Sequence, residues 1–256
     1  MLKVKDVYGW VDEIAPFDKA ESWDNVGLLC GSMENEVQAI FCALELNDEV
    51  LDAALEKGCS LIVTHHPILF GGRKNLCEDT AEGRLLCRLV RAHMNLIAAH
   101  TNYDVAAGGV NDCLAEALGL TNVQCVDGDE EVILRIGDVE PMTAAAFAAR
   151  VTERLGDVVR VYGDRQKTVR RVALVGGAGG EYAQTALKAG ADVYVTGEMR
   201  YHDAVSLAAE GLVTMQAGHD STEQIAVKPL RNGLQMRANA LQYNVKVYAN
   251  DLGVEE

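Results

Sequence analysis

The sequence predicts an α/β protein made of two related lobes, and three observations carry that prediction. A stretch that reads as helix, turn and strand occurs twice, at 50–66 and at 182–198. A second stretch of the same kind, at 84–104, returns at 204–223 with its polar residues at matching spacing. The composition, 49% hydrophobic with only 5% aromatic, suits closely packed strand–helix units better than a β-sandwich.

The elements follow in order. AIFCALE (39–45) reads as an opening strand. VLDAALEKGCSLIVTHH (50–66) then gives an amphipathic helix, a turn at Gly58 and an apolar strand ending in polar residues. In the second copy RVALVGG (171–177) opens, and YAQTALKAGADVYVTGE (182–198) gives helix, turn at Gly190 and strand, so that Thr64 aligns with Thr196. RLLCRLVRAHMNLIAAHTNYD (84–104) and AVSLAAEGLVTMQAGHDSTE (204–223) form the second pair, with His100 and Asp104 four apart, as are His219 and Glu223. Helices alternating with buried strands indicate largely parallel pairing. The duplication divides one 256-residue unit into approximate lobes 1–124 and 125–256.

The segment 121–170 is more polar and carries the acidic run Asp127 to Glu131. Within it PMTAAAFAARVTERLG reads as a helix with Pro141 in its first turn. After Glu223 a helix is expected, interrupted near Pro229 and Gly233, and a last strand around VKVYAND.

A net charge of −15 argues against a general affinity for nucleic acid, which needs a basic surface. No signal pattern or bilayer-length apolar run is present, so no membrane role is expected. Cysteines 30, 42, 59, 77, 87, 113 and 125 form no CxxC pair and sit mostly in apolar or helical stretches. Buried, reduced thiols and a cytoplasmic location are therefore expected.

Ligands of parallel α/β sheets collect at the carboxyl ends of strands. His65 and His66 end the strand LIVT, His100 to Asp104 follow LIAA, Glu198 follows DVYVTG and His219 to Glu223 follow VTMQAG. Successive strand residues point to opposite faces, so His65 and His66 can share a centre only if the strand has ended, as Pro67 allows. Asp220 or Ser221 can cap the next helix, placing His219 and Glu223 on one side of it. Three imidazoles and two carboxylates (His65, His66, His219, Asp104, Glu223) suit Mn, Fe, Co, Ni or Zn better than Ca or Mg. Five ligands exceed one closed tetrahedral site but suit two ions with open positions, where a bridging hydroxide would be the nucleophile. His93 reads as a hydrogen-bonded structural residue. His100 reads as a donor to a ligand carboxylate, with direct ligation the alternative. Glu198 and His202, four apart, read either as an acid–base pair or as a surface helix start. The glycines of VALVGGAGGE (172–181) read as close strand-to-helix packing, with phosphate cradling the alternative.

With these residues assembled, the chain resembles the Nif-three-like family, whose members go by the names GTP cyclohydrolase I type 2 and dinuclear metal-binding hexamer protein. The matching stretches are SWDNVGLLCG (22–31), LIVTHHPILF (61–70), AAHTNYDVAAGGVND (98–112), DVYVTGEMRYHDA (192–204) and QAGHDSTE (216–223). The resemblance implies two metal ions on His65, His66, Asp104, His219 and a bridging Glu223. It also implies two intertwined α/β lobes and a ring-shaped homohexamer. The short 104–171 interval leaves no room for the third domain that some members insert. Trp23, Asp24 and Asn25 match a family segment, although composition alone reads them as a structural turn.

Two functions follow. The first is a metal-dependent hydrolase, of which opening of the GTP imidazole ring is a specific form, acting on a nucleotide or phosphoester. The second is a non-catalytic ring protein that stores, inserts or presents metal.

Overall fold

Short runs of aliphatic and β-branched residues build the centre of each sheet, because strands covered on both faces must be apolar throughout. Ala39–Ala43 (β2), Leu61–Thr64 (β3) and Asn95–Ala98 (β4) are buried at every position, and so is Val193–Thr196 (β9). A computed structural model describes residues 1–72, 74–126 and 132–250; the acidic run 127–131 lies outside the described residues. The chain divides into two units, Met1–Ala106 with Val227–Glu256, and Ala107–Ala226. It therefore leaves the first unit near Ala106 and returns at Val227.

In the first unit the strand order is β1-β4-β3-β2-β11, with β1 at Gly27–Cys30 and β11 at Lys246–Ala249. β4, β3, β2 and β11 run parallel, and β1 is antiparallel at the edge. Helices Val4–Ile14 (α1), Asp48–Glu56 (α2) and Ala81–Arg91 (α3) belong to this unit, α2 and α3 being the crossovers. Asn47 and Thr80 start the crossovers by accepting the backbone N–H groups of Val50 and Gly83, which the first helical turn leaves without partners. His93 follows α3 with a positive φ of 53°, ending the helix as a left-handed residue. One face of the sheet buries Phe41, Ile62 and Leu96 with Leu51 and Leu89 from the helices.

In the second unit the order is β5-β6-β8-β9-β10-β7, namely Thr121–Cys125, Arg135–Thr143, Thr168–Val175, β9, Val213–Gln216 and Arg160–Tyr162. β8, β9 and β10 are parallel, and the flanking strands are antiparallel. Alternation along β8 sends Val172 and Leu174 to one core and Ala173 and Val175 to the other. Ala183–Lys188 (α7) and Tyr201–Ala209 (α8) are the crossovers; Val110–Ala117 (α5) and Ala144–Leu155 (α6) add to the helical layers.

The predicted repeat is thus present as β2-α2-β3-α3-β4 and β8-α7-β9-α8-β10. Thr64 pairs with Ala98 and Thr196 with Gln216, so the strand ends correspond. The second copy carries one more residue between strand end and histidine: two residues separate strand from helix in both copies, but Thr101–Val105 (α4) is preceded by His100, whereas His219–Glu223 (α9) begins at the histidine itself.

Three local expectations are corrected. Pro141 lies in β6, at a register shift between Asp138 and Met142, where a missing ladder donor is tolerated; Thr143 caps α6 instead. The last helix, Val227–Ala240 (α10), is continuous. Pro229 falls in its first turn, where N–H groups have no helical partner, and a Cβ on Gly233 would meet Ile14 Cδ1 of α1 at 3.1 Å, so that glycine serves close packing. Neither Asp220 nor Ser221 caps α9: Gly218 precedes it with φ 86°, and the Ser221 hydroxyl donates to Asp157 Oδ2.

Cys42 and Cys59 are buried, and burial holds both thiols well above their ordinary pKa, Cys59 at about 11. No helix among the described residues is long and apolar enough to cross a membrane.

Candidate metal centre

In the first unit the adjacent parallel strands β3 and β4 deliver His65, His66 and His100 from their carboxyl ends. The Thr64 hydroxyl donates to the His66 carbonyl at 2.9 Å and fixes the chain as it leaves the strand. His65, His66 and His100 each present a ring nitrogen within 4.8 Å of the others. His65 Nδ1 lies 2.9 Å from the Ala99 carbonyl, which can only accept, so Nδ1 carries the proton and Nε2 is the basic nitrogen. That Nε2 faces Asp104 Oδ1 at 3.5 Å. An imidazole lone pair beside a carboxylate suits an intervening cation, and a ligand histidine typically holds its other nitrogen on a carbonyl or carboxylate.

His100 follows the same rule. Its Nδ1 donates to Asp24 Oδ1 at 2.9 Å, and the Asp24 side chain is fully enclosed. Asp24 also accepts from the backbone and hydroxyl of Thr101 and from the Asn25 N–H. Burial alone would raise this carboxyl's pKa, but the bonds from His100 and Thr101 outweigh it and hold the group well below its ordinary value. Topology explains the meeting. β1 runs antiparallel to β4 with Gly27 opposite Ala98, so residues before Gly27 lie beside residues after Ala98.

In the second unit β8, β9 and β10 are followed by Gly176–Gly177, Gly197–Glu198 and Ala217–Gly218. The Gly177 N–H donates to the Thr222 hydroxyl at 3.0 Å and its carbonyl accepts from the Glu198 N–H at 2.8 Å. This loop makes room for a buried carboxylate. A Cβ on Gly177 would stand 2.0 Å from Glu223 Oε1 and 3.1 Å from His219 Nε2. His219 Nε2 lies 3.3 Å from Glu223 Oε2, and its Nδ1 lies 3.1 Å from Glu198 Oε1. The hydrogen bond to Glu223, with Glu198 adding to it against partial burial, raises the His219 pKa to about 9.

The first unit thus gathers His65, His66 and Asp104, and the second pairs His219 with Glu223. His100 donates to Asp24 rather than to a ligand carboxylate. Glu198 and His202 are not brought together: Glu198 orients His219, whereas His202 is exposed on α8 with its ring 5.3 Å from Tyr201. The glycines at 176–180 serve close packing as expected. The sequence reads Asp24 only as part of a turn that matches a family segment; its bond to His100 is not legible there, because the partner lies 76 residues away and the turn carries no periodic signal.

Histidine and carboxylate side chains at the strand ends of each unit, placed where they could hold a metal ion, define the class of an α/β protein with a duplicated core. The chain belongs to the DUF34/NIF3 (NGG1p interacting factor 3) family, whose description matches residues 2–252. It is 30% identical to a GTP cyclohydrolase 1 type 2 homolog of Clostridium acetobutylicum, covering 99% of this chain and 97% of that one. It is 35% identical to the protein of the same description in Streptomyces coelicolor, over 87% and 82%. A crystal structure of a Bacillus cereus protein related to NIF3 superimposes with a TM-score of 0.92 at 26% identity, covering 100% and 98%.

Proposed function

We propose that this chain is a metal-dependent hydrolase that holds two divalent transition-metal ions on His65, His66, Asp104, His219 and Glu223. The observation that carries the reading is the pre-set tautomer of His65, whose Nδ1 is bonded to a carbonyl while Nε2 faces Asp104. His219, with Glu198 on Nδ1 and Glu223 beside Nε2, repeats that logic. Bound divalent cations supply Lewis acidity and lower the pKa of water. The chain's own residues orient the imidazoles, enclose the carboxylates and hold the His219 proton until a cation replaces it.

The names of the Clostridium and Streptomyces relatives support a more specific form, addition of water to the GTP ring carbon between two nitrogens. The family resemblance supports a homohexameric ring. Metal-reconstituted protein screened against a nucleotide and phosphoester panel tests the activity. GTP turnover that scales with metal content supports the cyclohydrolase form. Full metal content with silence across the panel supports the metal-storage or adaptor reading instead.

A further inference from the structure

The sheet of the first unit ends in a way that brings one more carboxylate to its carboxyl edge. Ala43 of β2 pairs with Thr64 of β3, and Thr64 with Ala98 of β4. Past that row the His65 N–H donates to the Ala43 carbonyl at 3.2 Å and the His66 N–H to the Leu44 carbonyl at 2.8 Å. The next regular donor would be residue 67, a proline, so pairing stops there. Two positions beyond the last shared row, Glu45, His66 and His100 therefore stand at the ends of three neighbouring strands. The rings of His66 and His100 agree with this placement, their centroids being 5.7 Å apart. Glu45 flanks His66 on the other side, one strand spacing (about 4.8 Å) away along the backbone.

Glu45 differs from the other carboxylates at this edge. The Asp24 side chain is enclosed and bonded, and Asp104 is buried. Leu44 and Leu46 are 6% and 7% exposed and hold the chain down, whereas Glu45 between them is exposed. Asn47 caps α2, so the helix start does not occupy the Glu45 side chain. Among the described residues no hydrogen bond or ion pair engages its carboxylate, and it lies outside the groups whose ligand atoms converge. Ligand side chains are oriented by outer bonds, as His65 is by the Ala99 carbonyl. An open carboxylate without such a bond suits brief contact instead.

We propose that Glu45 is the entry carboxylate of the metal centre, which draws a hydrated divalent cation from solvent and passes it to His66. The proposal rests on the metal-binding part of the hydrolase reading and needs no particular reaction. In the hand-over a water on the cation is replaced by the His66 imidazole nitrogen, and Glu45 is released. An open charge beside a binding site acts chiefly on the association rate and its salt dependence.

The test mixes metal-free, full-length protein with zinc(II) in a stopped-flow instrument and follows free zinc with a fluorescent indicator. Glu45→Gln removes the charge and keeps the size. Glu56→Gln removes the same charge at the other end of α2, away from the imidazoles. At low ionic strength zinc uptake should be about fivefold slower in Glu45→Gln and unchanged in Glu56→Gln. In about 1 M salt, where charges are screened within about 3 Å, the Glu45→Gln rate should match that of the parent. Zinc stoichiometry at saturation should be the same in all three proteins. Equal rates in Glu45→Gln and the parent overturn the proposal. Equal slowing in both variants also overturns it, by showing an effect of net charge alone. Loss of a bound zinc in Glu45→Gln does so too, by making Glu45 a fixed ligand. A parent that takes up no zinc sinks the metal-binding reading and the proposal together, whereas full zinc uptake at unaltered rates sinks the proposal alone.

Discussion

Gly177→Ala separates the needs of the fold from the needs of the site. The added Cβ would sit 2.0 Å from Glu223 Oε1 and 3.0 Å from Cδ. Unbonded heavy atoms rest at roughly 3.5 Å, so the carboxylate oxygen must retreat by about 1.5 Å. The atom in the way is the end of a flexible side chain, and the backbone can stay where it is. The remaining penalty is conformational: φ is +57°, and an alanine there costs about 1–2 kcal/mol. Against a typical stability of about 5–15 kcal/mol the variant folds, with a melting temperature lower by roughly 2–8 °C. Glu223, however, is displaced by more than the tolerance of a ligand sphere, so metal affinity should fall by at least about tenfold. Thermal melts of metal-free protein, paired with calorimetric metal titration, measure both effects. A variant that melts as expected yet binds metal as tightly as the parent would refute the reasoning.

His66→Ala and Glu223→Ala should abolish metal uptake with the fold largely kept, since the hydrophobic cores of both units are built without these side chains; far-ultraviolet circular dichroism beside metal analysis checks this. In metal-free protein His219 has a pKa of about 9, set first by its bond to Glu223, so it is protonated at pH 7.5. Metal binding should release that proton, and affinity should rise with pH up to about 9 and then level; calorimetric enthalpies independent of buffer would count against it. Asp24 has a depressed folded pKa, so its stabilisation is complete above the ordinary carboxyl value of about 4 and is lost as the pH falls below it. Asp24→Asn should therefore flatten the acid limb of the stability curve, and an unchanged limb would contradict the role given to this carboxylate. Tyr194→Phe removes the hydroxyl bonded to the Gly179 carbonyl and should cost about 1 kcal/mol, read by denaturant unfolding.

What the sequence revealed and what it hid divide along the range of the interactions. Periodicity and turn residues located the strands around LIVT, LIAA, DVYVT and VTMQ, because each is a local, fully apolar run between polar ends. Metal-ligand candidates were legible for the same reason, as polar residues placed where such runs stop. Antiparallel edge strands such as β1 and β7 were not, because their pairing depends on chain reversals set by distant partners. The enclosed Asp24 and the room that Gly177 leaves for Glu223 were hidden likewise: both are meetings of residues 46 or more positions apart, and each depends on strand register. Pro229 and Pro141 misled because a proline's effect depends on its place within an element, which periodicity locates only to within a few residues.

The most direct measurement is anomalous diffraction from crystals of the chain grown with a divalent transition metal, beside metal analysis of the same protein. Two anomalous peaks per chain are expected, bonded to His65, His66, Asp104, His219 and Glu223. Stoichiometric metal bonded elsewhere, or none on any of these five side chains, would contradict the account.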